Sequence, residues 1–168
     1  TSYLAGTSLA GPLGERGSQW RLTAEYTDSV ATLNWFSFSD VVHGGAYNNN
    51  DYLDGLRYRD RTLGFSLDID SRLLSLAGSV VDASGWTYRV VLYSAQISTP
   101  QLAAIQASGS NIRNVVSAMA VSFSQGEAGL SIPVGAALLD VTVRAQTGQV
   151  YPGRGSAIGG EVGLRYPL

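Results

Sequence analysis

The sequence contains no cysteine, which excludes a disulfide scaffold and a cysteine-based zinc site. Charge is scarce as well: Asp, Glu, Lys and Arg make up 14% of the 168 residues, against about a quarter in a typical globular chain. Eleven cations face thirteen anions for a net charge of −2, which argues against a basic nucleic-acid binder. No apolar run approaches the about 20 residues that a membrane helix needs. The best stretch, around Val115–Val121, is broken by Ser117. No basic segment followed by an apolar one opens the chain, so no signal peptide is visible; either it has been removed or this is a piece of a longer chain. The hydrophobic share of 45% argues against disorder.

What is present is alternation with a period of two. Ile158, Gly160, Val162, Leu164, Tyr166 and Leu168 alternate with Gly159, Glu161, Gly163, Arg165 and Pro167. The faces Trp20-Leu22-Ala24-Tyr26, Leu74-Leu76-Gly78-Val80, Trp86-Tyr88-Val90-Leu92 and Leu139-Val141-Val143-Ala145 each oppose a more polar set. Residues 111–124 are predicted as a further strand, with Met119, Val121 and Phe123 on one face. Residues 31–39 are apolar but alternate less cleanly, and Tyr3–Leu9 makes a weak candidate. The total is about eight strands, within the range of small outer-membrane barrels. Between them, longer gaps (10–18, 40–69, 98–110, 147–156) alternate with tight ones (28–30, 82–85, 125–128).

That order predicts an all-β fold, an antiparallel up-and-down transmembrane β-barrel filling residues 1–168, with short turns and both termini on the periplasmic side. A soluble sandwich or lipocalin-like barrel would produce the same alternation. Trp20, Trp86 and Tyr166 on the apolar face near strand ends favour the membrane reading, because aromatic girdles sit at the two interfaces. In a self-closed eight-stranded barrel, Arg21, Arg89, Arg144 and Arg165 would have to pair inside with Glu25, Asp140 and Glu161.

The ending Glu161-x-Gly163-x-x-Tyr166-x-Leu168 resembles the C-terminal signal that outer-membrane proteins present to the barrel-assembly machinery, with Leu where Phe is usual. Upstream, Tyr52-x-Asp54-Gly55-x-Arg57-Tyr58-Arg59-x-Arg61-x-Leu63-Gly64 is followed by Asp68-x-Asp70-Ser71-Arg72-x-Leu74-Ser75-Leu76. With Trp20-Arg21-Leu22-x-Ala24-Glu25-Tyr26-Thr27-Asp28, this order resembles the capsule-assembly Wzi family over residues 19–82, and by strand pattern beyond. The resemblance implies a bacterial outer-membrane barrel, lectin-like and not an enzyme, that binds capsular polysaccharide. It also implies that the chain is the C-terminal part of a longer barrel whose N-terminal half would be its partner. The runner-up is a self-contained eight-stranded outer-membrane protein with a structural or adhesive role.

Tyr52, Asp54, Arg57, Tyr58, Arg59 and Arg61 are the candidate glycan contacts. Aromatic rings stack on sugars, and bidentate Arg suits a sugar carboxylate. The same arginines could instead form ion pairs with Asp54, Asp60 and Asp68. His43, the single histidine, starts the loop His43-Gly44-Gly45 with no nucleophile motif beside it, so it reads as a polar loop residue. Asp68 and Asp70 fall short of the about six to eight oxygens that calcium takes, and no cofactor or metal is expected. Thr99 followed by Pro100 predicts a short helix to Ala107, lying in an external loop as a connector. Tyr151–Gly155 is a weaker candidate loop for glycan contact. Pro133 suggests a bend, a bulge or a late strand start.

Overall fold

A pleat sends successive side chains to opposite faces, so segments alternating apolar and polar residues settle as strands. The computed structural model describes residues 2–14, 17–34, 37–47, 57–58, 61–62, 65–148 and 155–166. In chain order the elements are β1 (Tyr3–Leu13), β2 (Ser18–Asp28), β3 (Ala31–Asn34), β4 (Ser37–Val42), β5 (Arg57–Tyr58), β6 (Arg61–Thr62), β7 (Arg72–Val81), β8 (Thr87–Ile97), α1 (Pro100–Ala107), β9 (Val121–Val134), β10 (Ala137–Gly148) and β11 (Ala157–Arg165). Seven of the strands form one sheet in the order β1-β2-β7-β8-β9-β10-β11, and the pairs β3-β4 and β5-β6 stand apart. The fold is all-β but for α1.

Neighbours in the large sheet run antiparallel. β10 pairs antiparallel with both β9 and β11. Gly78 faces Leu22 while Arg72 reaches Asp28, so β7 runs against β2. Gly85 lies by Pro133 while Gly126 faces Leu92, so β8 runs against β9. The sheet is open, with β1 and β11 as unpaired edges rather than partners of each other.

Four expectations need correction. Residues 31–39 do not join the large sheet. Ala31–Asn34 folds back on Ser37–Val42, and Ala31 is buried in a separate core with Ala46, Ile69 and Leu102. The strand expected over 111–124 begins only at Val121, and residues 125–128, expected as a tight turn, continue it. The turn falls at Gly135–Ala136, a two-residue hairpin loop whose first position takes φ +61°, which suits glycine. The register runs past Pro133 without a shift, so Pro133 neither bulges nor delays the strand but sits just before its end.

Losing the 31–39 strand leaves seven strands in the large sheet. The short turns are then 14–17, 82–86 and 135–136, and the long connections 29–71, 98–120 and 149–156. Long and short still alternate, but the start of β1 and the end of β11 fall at opposite ends of an antiparallel sheet, not at the same end.

The chain divides into two compact units. The first gathers residues 1–5, 26–74 and 95–122. Its core is Ala31, Ala46, Ile69 and Leu102, with Tyr47 packed against it. The second gathers residues 6–25, 75–94 and 123–168, the body of the sheet. One face of that sheet carries Leu9, Leu22, Leu76, Tyr88, Val90, Leu92, Val143, Val162 and Leu164, all exposed. The other face carries its charges.

Candidate functional site

The charged face of the second unit is a ladder across four strands. Glu127 on β9 accepts from Arg89 Nη2 on β8 at 2.8 Å and from Arg144 Nε on β10 at 2.7 Å. Arg144 Nη1 reaches on to Glu161 on β11 at 3.2 Å. A second rung joins Arg165 of β11 to Asp140 of β10, which also accepts from the Ser131 hydroxyl of β9. Every member has an i, i+2 position on one face, so the pleat alone brings them together. Glu127 has two cations as partners, a role the sequence reading did not give it. Arg21 and Glu25, four residues apart along one strand, form no ion pair among the described residues.

The first unit is held by side chains that bond backbone. Ser29 Oγ donates to the carbonyls of Asp68 and Ser71, at 2.6 and 3.0 Å, and accepts from Ser71 N at 2.9 Å. Asn114 Nδ2 donates to the carbonyls of Leu67 and Ile69, and its Oδ1 accepts from Val116 N and Ser117 N. Asp68 is buried, and its carboxylate accepts from Ile69 N and Val115 N, each at 2.7 Å. Asp68 and Asp70 take φ of +67° and +50°, a left-handed conformation that Asp tolerates better than most residues.

Asp70 is the centre of the site, with no exposed surface. Its Oδ1 accepts from Gly44 N at 2.8 Å. Its Oδ2 accepts from the Thr99 hydroxyl at 2.9 Å and lies 2.6 Å from His43 Nδ1. Thr99 Oγ1 in turn accepts from Leu102 N, the cap expected at the start of α1, and lies 3.2 Å from His43 Nδ1. A Cβ on Gly44 would fall 2.2 Å from Ile112 Cγ2, and φ is +75° there, so the position suits glycine. The helix is therefore more than the connector expected: Leu102 is fully buried in the core and Thr99 is fastened to Asp70.

The expectation for His43 is thereby redrawn. His43 is a loop residue, but one pinned through Nδ1 to a buried carboxylate, with its side chain 24% exposed. The oxygens of Asp68 and Asp70 are engaged by N–H, O–H and imidazole groups, and no cluster of three or more His, Asp or Glu with metal-binding geometry occurs among the described residues. Of the expected glycan contacts, Arg57, Tyr58 and Arg61 lie on a small hairpin, β5 against β6, with Arg57 opposite Thr62 and Tyr58 opposite Arg61. Tyr52, Asp54 and Arg59 lie outside the described residues, as do residues 151–154 of the second candidate loop.

At the short-turn side of β7 and β8, Asp82 Oδ1 accepts from Ser84 N, Ser84 Oγ and Trp86 N at 2.7–3.0 Å. The Ser84 hydroxyl, then the two backbone N–H groups, hold its carboxyl below the usual aspartate range.

No family model matches the chain, and no curated protein matches it by sequence. Among solved structures its fold is similar to that of Wzi, an outer membrane protein involved in group 1 capsule assembly in Escherichia coli, described as a carbohydrate-binding β-barrel. The TM-score is 0.67 at 16% identity, and the likeness covers 99% of this chain and 34% of that one. The chain thus spans about a third of the length of its structural neighbour.

Proposed function

We propose that this chain is part of a bacterial outer-membrane β-barrel of the Wzi kind that binds capsular or exopolysaccharide without catalysis, for capsule assembly and attachment at the cell surface. The observation that carries the reading is the likeness of fold to a carbohydrate-binding barrel along 99% of the chain. The exposed apolar face supports the membrane setting. Val90 and Leu92 on β8, Val143 on β10 and Val162 on β11 are each at least half exposed, a surface that water penalises and lipid accepts. The opposite face, with its ladder of ion pairs, suits a polar interior.

Closure of the barrel belongs to the same proposal. Unpaired edge N–H and C=O groups are not tolerated in lipid, so β1 and β11 each need a neighbouring strand in the membrane. The non-catalytic reading is supported by the side of the imidazole on which Thr99 sits. Its hydroxyl lies by Nδ1 and donates to Asp70, so it is not placed to be activated by Nε2.

Replacing Tyr52, Arg57 and Tyr58 together by alanine tests the polysaccharide reading. Cells carrying the variant are expected to lose surface polysaccharide while the protein keeps its heat-modifiable gel mobility. Retention equal to wild type, with the barrel assembled, would overturn the assignment of that loop.

A further inference from the structure

We propose that the apolar face of the sheet holds one phosphatidylethanolamine from the leaflet on the short-turn side, with an acyl chain in a groove over Gly78 and its ammonium on the Asp82 carboxylate; this rests on the membrane setting proposed above and deepens it. All the residues concerned belong to the second unit. Gly78 on β7 has no side chain to fill the space between Leu22 of β2 and Val90 of β8, so the face is notched there. With Leu9, Leu76 and Leu92 these residues line an open, almost wholly apolar groove of about 440 Å³. Small-molecule sites take about 300–1,000 Å³. Towards the short turns the groove continues past Trp20, Val80 and Tyr88. Trp20 leaves it open because its indole leans the other way. A Cβ on Gly11 would lie 3.2 Å from Trp20 Nε1, so the ring sits over β1, on the side of β2 away from β7.

The length of the groove picks out one leaflet. From Leu92 to Tyr88 the strand covers about 13 Å. Half of a hydrocarbon core about 30 Å thick is about 15 Å. A chain entering at the short turns therefore ends short of the midplane. Lipid tails are as apolar as leucine, so the groove positions the chain and the rim selects the headgroup.

At the rim, Tyr88 lies beside Trp86 with ring centroids 6.4 Å apart, and its hydroxyl is 3.5 Å from Asp82 Oδ2. Asp82 Oδ1 is occupied by Ser84 N, Ser84 Oγ and Trp86 N, whereas Oδ2 has that one long contact among the described residues. Turn 82–86 carries this carboxylate and no cation, turn 135–136 carries no charge, and turn 14–17 carries one Glu and one Arg. A rim of net negative charge favours a headgroup ending in an ammonium and disfavours an anionic one. Ammonium and carboxylate then form a charge-assisted hydrogen bond at Oδ2.

The test uses the full-length protein in detergent micelles, titrated with dioleoylphosphatidylethanolamine or dioleoylphosphatidylglycerol, with bound lipid counted by native mass spectrometry. Wild type is expected to retain one phosphatidylethanolamine at about tenfold lower lipid concentration than phosphatidylglycerol, the margin of one charge-assisted hydrogen bond. Asp82→Asn keeps an acceptor for the turn and is expected to lose the preference while still binding lipid. Gly78→Leu fills the floor of the groove and is expected to weaken retention of both lipids about tenfold. Its Cβ would meet only the flexible end of Leu22, at 3.2 Å, so the variant should keep its heat-modifiable mobility. If it does not, the wild-type preference and Asp82→Asn still decide. Equal retention of the two lipids by wild type, an unchanged preference in Asp82→Asn, or wild-type retention by an assembled Gly78→Leu overturns the proposal and leaves the membrane reading standing. Wild type without heat-modifiable mobility in micelles overturns the membrane reading and the proposal with it.

Discussion

Asp70 and its three donors show how a single buried carboxylate can organise a loop region. Its ligands come from positions 43, 44 and 99, far apart in the chain, so no spacing in the sequence announces them. The D-x-D-S segment was visible as a motif, but its carboxylates read as a poor calcium site rather than as acceptors for backbone and imidazole. Asp70→Ala removes the buried acceptor of Gly44 N and of the Thr99 hydroxyl, at a cost of about 1–3 kcal/mol. Faster hydrogen exchange at the Gly44 amide, with slow exchange kept along β10, is the expected signature. Asp82 makes the matching prediction at the other strand ends. Its folded pKa is depressed, so the turn's stabilisation is full above the ordinary aspartate range and is lost as pH falls through the lower, folded value. Protection of the Ser84 and Trp86 amides against exchange, relative to their intrinsic rates, should therefore be kept at neutral pH and fall as pH drops through the lowered value, and Asp82→Ala should reduce it throughout.

The strands were legible where alternation was strict and unreadable where apolar residues had another use. β2, β7, β8, β10 and β11 sit where period two placed them, because each must present one apolar and one polar face. Residues 111–120 mislead because Ile112, Val115, Val116 and Met119 look strand-like, yet the Asn114 side chain takes the Val116 and Ser117 amides and Asp68 takes that of Val115. Side-chain acceptors thus replace a strand neighbour there. Gly126-Glu127-Ala128 misleads in the opposite sense. Residues 125–128 are expected as a tight gap between strands, but Gly126 faces Leu92 and Glu127 joins two arginines, which is a strand's geometry. Glu127→Ala should leave Arg89 and Arg144 without their shared carboxylate and lower the temperature at which heat-modifiable mobility is lost. Glu161→Ala should lower it less, since Glu161 engages Arg144 alone at 3.2 Å.

At the scale of the whole molecule, an apolar face exposed among the described residues and an opposite face of paired charges are what the proposed membrane barrel needs. Low charge, the first property of the sequence, follows from this: half of each strand is free of it. Leu92→Arg, on the apolar face, is expected to cost about 2–4 kcal/mol near a bilayer midplane and to impair assembly. Arg89→Leu, three residues away in β8 and on its charged face, should be tolerated far better. Spin labels placed singly from Thr87 to Tyr93 and from Leu139 to Ala145, in the full-length protein in bilayers, read the medium on each face. Oxygen accessibility should peak at Tyr88, Val90, Leu92, Val141 and Val143, and a water-soluble nickel chelate should be strongest at the positions between. Equal access of the chelate to both sets would contradict a membrane barrel.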